Sequence, residues 1–107
     1  MKLKVCGLSN SIGIKTCVRY SVNFCGFILN YSKSHRFIPF EKAKKLLDID
    51  KNQTDFVGVL VNPTLEELEK FSKLNLDYFQ LYGQYDNRSL MNIKNKFRKK
   101  IIITIQV

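Results

Sequence analysis

Five short apolar runs recur along this chain, and a stretch with helical spacing separates each from the next. That alternation limits the possible folds more than any other feature. The runs occupy residues 2–6, 23–29, 55–61, 77–82 and 100–107. In the first, Leu3 and Val5 are apolar while Lys2 and Lys4 are polar, the period-two pattern of a strand. The second and third are almost continuously apolar, as parallel strands covered on both faces should be. Gly7 and Gly83 close two of the runs, and Asn62-Pro63-Thr64 closes the third.

The intervening stretches carry helix signals. Ser9 or Asn10 can cap a helix over about residues 11–20, although Gly13 and several β-branched residues weaken it. Pro39 suits the first turn of a helix over residues 40–47. Thr64 followed by Glu67 is a capping box opening a helix to residue 73, with Leu65, Leu68 and Phe71 at helical spacing. A last helix is expected over residues 86–99, with Leu90, Ile93 and Phe97 turned inward. Cys17 and Cys25 read as small buried hydrophobes. Residues 30–39 and 48–54 read as polar connections.

The order is therefore β-α-β-α-β-α-β-α-β, a parallel sheet joined by helical crossovers. At 107 residues the chain is expected to be one domain, residues 1–107. Two architectures fit: a five-stranded doubly wound sheet, and the first five strands and four helices of a TIM (β/α)8 barrel. The fifth run has no helix after it to cover its apolar residues 101–105, which favours the interrupted barrel.

Composition excludes several function classes. A hydrophobic content of 45% suits a packed core, not a disordered chain. No run reaches the roughly 20 apolar residues that span a bilayer, and no apolar segment of signal-peptide length opens the chain. Three cysteines, at spacings that match no zinc or redox motif, suggest a reduced, cytoplasmic setting. The formal charge of +9 reflects a lysine-rich composition and not a nucleic-acid surface. Its densest run, residues 94–100, falls on a helix end, where cations complement the dipole. No metal site and no glycine-rich phosphate fingerprint is present.

In parallel α/β folds ligands bind at the C-terminal strand edges. Cys6-Gly7, Asn30, Asn62, Tyr82-Gly83 and Gln106 fall there, with Lys33 and Arg36 on the loop after the second strand. Cys6 is the one strong nucleophile or thiol base among them. A thiol acts as a base when positive charge or a helix N-terminus favours its thiolate. A helix starting near Ser9-Asn10 would supply such a dipole. Arg36 has the fork that grips a carboxylate or phosphate. On these residues alone, a structural cysteine and a solvated arginine are the simpler readings. His35 shares the Arg36 loop and has no partner carboxylate nearby.

A resemblance reverses that balance. Lys4-Val5-Cys6-Gly7-Leu8-Ser9-Asn10 resembles the opening K-[IV]-C-G-[IL]-[TS]-N of the phosphoribosylanthranilate isomerase family. In order after it, Gly26-Phe27-Ile28-Leu29 is similar to G-F-[VI]-[FL]. Ser32-Lys33-Ser34-His35-Arg36-Phe37-Ile38 is similar to K-S-P-R-[YF]-[IV]. Val57-Gly58-Val59-Leu60-Val61-Asn62 is similar to V-G-V-F-V-N, and Gln80-Leu81-Tyr82-Gly83 to Q-L-H-G. Each motif is weak alone; five in order over nearly the whole chain are specific.

The resemblance implies a (β/α)8 barrel of tryptophan biosynthesis without metal or organic cofactor. Its reaction is an Amadori rearrangement of N-(5'-phosphoribosyl)anthranilate to the 1-deoxyribulose phosphate. A general acid opens the ribose ring to a Schiff base; a general base then takes the C2 proton. The resemblance puts the base on Cys6 and substrate binding, towards the anthranilate end, on Arg36. Asn10, Lys33, Asn62, Gln80 and Tyr82 are the further residues expected to line the mouth. Three departures stand out. His35 replaces the usual proline. Tyr82 replaces the usual histidine, and Gln84 a usual acidic residue. The family's acid, an aspartate after strand six, and its phosphate loops after strands seven and eight have no counterpart in this sequence. A full barrel takes about 200 residues or more. The chain is therefore expected to be an N-terminal half-barrel with little or no activity by itself. It is also expected to associate with a complementary half or with a copy of itself, through open edges at strands one and five. The partner it implies is a small phosphorylated substrate, with no nucleic acid or membrane. The competing readings are a non-catalytic doubly wound module binding a small anion, and a basic nucleic-acid-binding domain. The sequence lacks the aromatic and basic interleaving that the last would need.

Overall fold

The structure, a computed structural model, describes residues 2–104. Five strands and four helices alternate without exception: β1 Lys4–Cys6, α1 Ser11–Arg19, β2 Phe24–Ile28, α2 Phe40–Leu46, β3 Asp55–Val61, α3 Leu65–Phe71, β4 Tyr78–Tyr82, α4 Asn87–Phe97 and β5 Lys100–Thr104. Every strand pairing is parallel, and the sheet runs β1-β2-β3-β4-β5 in chain order. A doubly wound sheet must reverse its strand order so that its helices fall on two faces. This sheet does not reverse, so the doubly wound alternative is excluded.

Register and burial place all four helices on one side. Val5, Cys25, Phe27, Phe56, Phe79 and Leu81 occupy alternate positions that register aligns on one face. All but Val5, which packs against it half-buried, belong to one buried cluster with Ile14, Cys17 and Val18 of α1, Ala43 of α2, Leu68 and Phe71 of α3, and Ile93 of α4. Phe27 and Phe56 meet edge to face at 5.1 Å in its middle. The opposite face carries Lys4, Cys6, Gly26, Val57, Val59, Gln80, Tyr82 and Thr104. Val57 and Val59 are buried there too, yet lie outside the helix-packed cluster. The sheet thus has a helix-covered convex side and a concave side filled by its own side chains.

The element ends show local chemistry at work. Asn10 caps α1, its Oδ1 accepting from the Gly13 amide at 2.8 Å. Thr64 and Glu67 form the expected reciprocal capping box on α3. Pro39 sits at the N-cap of α2, one position before the first turn assigned to it from sequence. α3 stops at Phe71, two residues earlier than expected: after Ser72 the amides turn to carbonyls three residues back, Lys73 to Lys70 O and Leu74 to Phe71 O. α4 ends at Phe97, where Arg98 adopts left-handed φ of 54° and donates to Lys94 O. β1 begins at Lys4, since the Leu3 amide is taken by the Asn23 side chain at 2.8 Å. Gln106 and the last residues of the fifth apolar run lie outside the described residues. Among those described, no helix is long and apolar enough to cross a membrane.

Candidate active site at the strand ends

Cys6 is the last residue of β1 and is exposed, with a free thiol. It pairs in register with Gly26, so its sulfur lies beside a residue without a side chain. The chain then turns through Gly7, whose φ of +81° is left-handed and favours glycine. The Gly7 and Leu8 amides both donate to Gly26 O, at 2.9 and 3.3 Å, which anchors the turn to β2.

The loop after β2 brings Arg36 to this point. Its amides close on themselves, Ser34 donating to Tyr31 O and Phe37 to Ser34 O, both at 3.1 Å. Arg36 donates its own amide to Ser34 Oγ at 3.1 Å. Ile38 then donates to Ile28 O at 2.9 Å, returning the chain to the end of β2. The Arg36 side chain lies across Gly7. A Cβ placed on Gly7 would overlap Arg36 Cδ and stand 3.1 Å from its Nη1. Glycine at position 7 therefore serves a backbone conformation and a close approach at once. Of the two residues singled out from sequence, Cys6 immediately precedes this glycine and Arg36 packs over it.

Below the rim, polar contacts cross the concave face. Lys4 Nζ reaches from β1 over Gly26 to donate to Gln80 Oε1 on β4. Gln80 Nε2 contacts Thr104 Oγ1 at 3.2 Å and the Tyr82 hydroxyl at 3.4 Å. Gln80 is only 8% exposed, one layer beneath the mouth and not on its rim. Its burial is offset by these partners, as an interior amide requires. In the sequence Lys4 reads only as a polar strand residue. The signal that finds it is its position two before Cys6, which puts both on one face.

A cleft of about 980 Å³ opens at the ends of β2 to β5, with Asn62, Tyr82, Tyr85 and Thr104 in its wall. Asn62 has left-handed φ of 43° and sends its Oδ1 against Gly83, where a Cβ would stand 2.6 Å away. Tyr85 packs on the same glycine, and burial raises the pKa of its hydroxyl above the ordinary value. Asn30 holds this side together: its amide pairs with Val61, accepting from N at 2.7 Å and donating to O at 2.9 Å. Asn10 serves as the α1 cap beside the Cys6 turn, and Lys33 stands exposed on the Arg36 loop. Of the residues expected at the mouth, Asn62 and Tyr82 line the cleft. Cys6 and Arg36 are not in its wall; they flank Gly7 at the end of β1. Tyr85 and Thr104 were not singled out from sequence.

A parallel sheet in chain order, helices on its outer side and polar residues at its C-terminal edge define the class. These are five strands and four helices of a TIM barrel. The model of the family N-(5'phosphoribosyl)anthranilate (PRA) isomerase matches residues 3–107. The chain belongs to the phosphoribosylanthranilate isomerase family.

The N-(5'-phosphoribosyl)anthranilate isomerase of Streptococcus gordonii is 36% identical over 93 residues, 86% of this chain and 47% of that protein. That of Streptococcus mutans is 34% identical over 107 residues, 99% of this chain and 52% of that protein. The crystal structure of the Thermotoga maritima enzyme superposes with a TM-score of 0.85 at 28% identity, covering all of this chain and 51% of that one. A phosphoribosyl anthranilate isomerase in complex with reduced 1-(o-carboxyphenylamino)-1-deoxyribulose 5-phosphate gives the same score and identity, over 54% of its chain. The chain spans about half the length of the curated relatives it matches.

Proposed function

We propose that this chain supplies the N-terminal half of a phosphoribosylanthranilate isomerase and acts in the cytoplasm on a phosphorylated sugar amine. In this reading residues 1–107 are one partial barrel domain. Cys6 is the general base that takes the C2 proton of the ring-opened Schiff base. Arg36 receives the anthranilate carboxylate through its two-pronged guanidinium. The observation that carries the reading is the exposed Cys6 thiol at the end of β1, with the Arg36 side chain packed over the very next residue, Gly7. It sets an acceptor for a proton beside a cation for a carboxylate, the two demands that this substrate makes at its aromatic end. Lys4 beneath the rim adds a second positive charge on the same face, which favours an anionic ligand. Asn62 and Tyr82 border the space beside them, where the ribose portion would lie.

Opening the ribose ring requires an acid, and the phosphate requires its own seat. Neither role falls to a residue described here. A complementary segment would have to supply both. The test joins this chain to the C-terminal half of the Streptococcus mutans relative and measures turnover of N-(5'-phosphoribosyl)anthranilate. The joined protein is expected to turn over and the 107-residue chain to show little or none. A joined protein that folds and binds the substrate without converting it would refute the proposal.

A further inference from the structure

We infer that Gly26 is a positioning residue for Cys6, its bare Cα forming the seat on which the Cys6 sulfur rests; the inference rests on the reading of Cys6 as the base. Glycine weakens a strand interior and marks places where something approaches closely. Gly26 lies in the middle of β2 and has no left-handed φ, so the backbone itself does not call for glycine there. The requirement is one of space. A Cβ at Gly26 would stand 3.0 Å from Cys6 Sγ, closer than carbon and sulfur normally approach, and 3.4 Å from Lys4 Cε. The lysine contact is ordinary and at the flexible end of a long side chain. The sulfur contact is not, because a cysteine has one rotatable bond with which to move away.

Gly26 holds the same site a second way. Its carbonyl accepts from both Gly7 and Leu8, the two amides that follow Cys6. One residue therefore fixes the backbone after the base and leaves room for the atom that takes the proton. Gly58, the neighbouring strand's glycine, supplies a contrast. It faces the helix side, where a Cβ would stand 2.7 Å from Leu76 Cδ1 and 3.0 Å from Leu29 Cδ1. It makes room for core packing and touches nothing at the mouth.

The test is a thermal-unfolding cycle in the full 107-residue chain with Cys6→Ala, Gly26→Ala and the pair. Gly26→Ala is expected to lower Tm when Cys6 is present and to raise it, or leave it unchanged, when Cys6→Ala has removed the sulfur. Gly58→Ala is expected to lower Tm equally in both backgrounds. If Gly26→Ala alone fails to fold, recovery of folding in the pair supports the seat; failure in both overturns it. Additive effects of Cys6→Ala and Gly26→Ala also overturn it. In the joined enzyme, Gly26→Ala is expected to lower kcat by about a hundredfold at nearly constant KM, since a misplaced reacting group costs rate before binding. An unchanged kcat overturns the positioning role. A fully active Cys6→Ser enzyme would refute the base assignment while leaving the unfolding cycle intact, so the two failures are distinguishable.

Discussion

Phe24 and Phe27 stand three residues apart on β2 and therefore face opposite sides of the sheet. Truncating each to alanine measures which side holds the fold together. Phe27 is fully buried in the helix-packed cluster and meets Phe56 edge to face. Its loss leaves a cavity walled by two strands and the helices, and costs about 3–5 kcal/mol. A domain of this size has about 5–15 kcal/mol in total. Phe24 is half-buried on the concave face, edge to face with Tyr78 at 5.5 Å. Water can fill the space it leaves, so the cavity cost is absent. About half of a phenylalanine's transfer energy and one aromatic contact are lost, about 2 kcal/mol together. Urea unfolding of the two variants, followed by far-ultraviolet circular dichroism, reads the difference. With a slope of about 1–3 kcal/mol per molar, Phe27→Ala should lower the midpoint by at least about 1 M. Phe24→Ala should lower it by clearly less. An equal or larger loss at Phe24 would refute the reasoning, because the concave face would then be the principal core.

Two further predictions concern pH. Burial against α1, with the Cys17 thiol as neighbour, pushes the Cys25 thiol from 9.0 up to about 12. The unfolded chain releases this proton first, so stability is complete below pH 9.0 and falls as pH rises towards about 12. Urea midpoints should decline over that window and decline less in Cys25→Ala; a flat profile in the parent chain would contradict the assignment. Asp86 caps α4 by accepting from the Ser89 amide at 2.7 Å, and that bond lowers its pKa below the ordinary carboxylate value. Its contribution is present above the ordinary value and lost as pH falls through the lowered one. Asp86→Asn should keep most of the cap and remove this acid dependence, visible as a flatter Tm profile below pH 4 or so; an unchanged profile would show that Asp86 does not carry it.

Much of this fold is legible in the sequence because the signals are local. The capping box at Thr64 and Glu67 and the apolar runs at β2 and β3 act within a few residues. Their order gives the alternation of strands and helices, and the unreversed order of the strands in the sheet then selects the barrel. What sequence could not give is contact across the sheet. Gln80 reads as a rim residue, yet it pairs with Lys4, seventy-six positions away, beneath the mouth. Lys4 reads as the solvent side of an alternating strand, but the concave side of this sheet is its interior. In the sequence Gly26 reads only as part of a motif. Its role appears when register sets it beside Cys6. Tyr85 and Thr104 join the cleft through curvature, which no local pattern encodes.

The most direct measurement is steady-state kinetics of the joined enzyme carrying Cys6→Ser, compared with Arg36→Met. Loss of a general base removes about 10²–10⁴-fold in rate. The account predicts that Cys6→Ser lowers kcat by at least about a hundredfold with little change in KM. It predicts that Arg36→Met acts chiefly by raising KM for N-(5'-phosphoribosyl)anthranilate. A Cys6→Ser enzyme that folds and retains its kcat would contradict it.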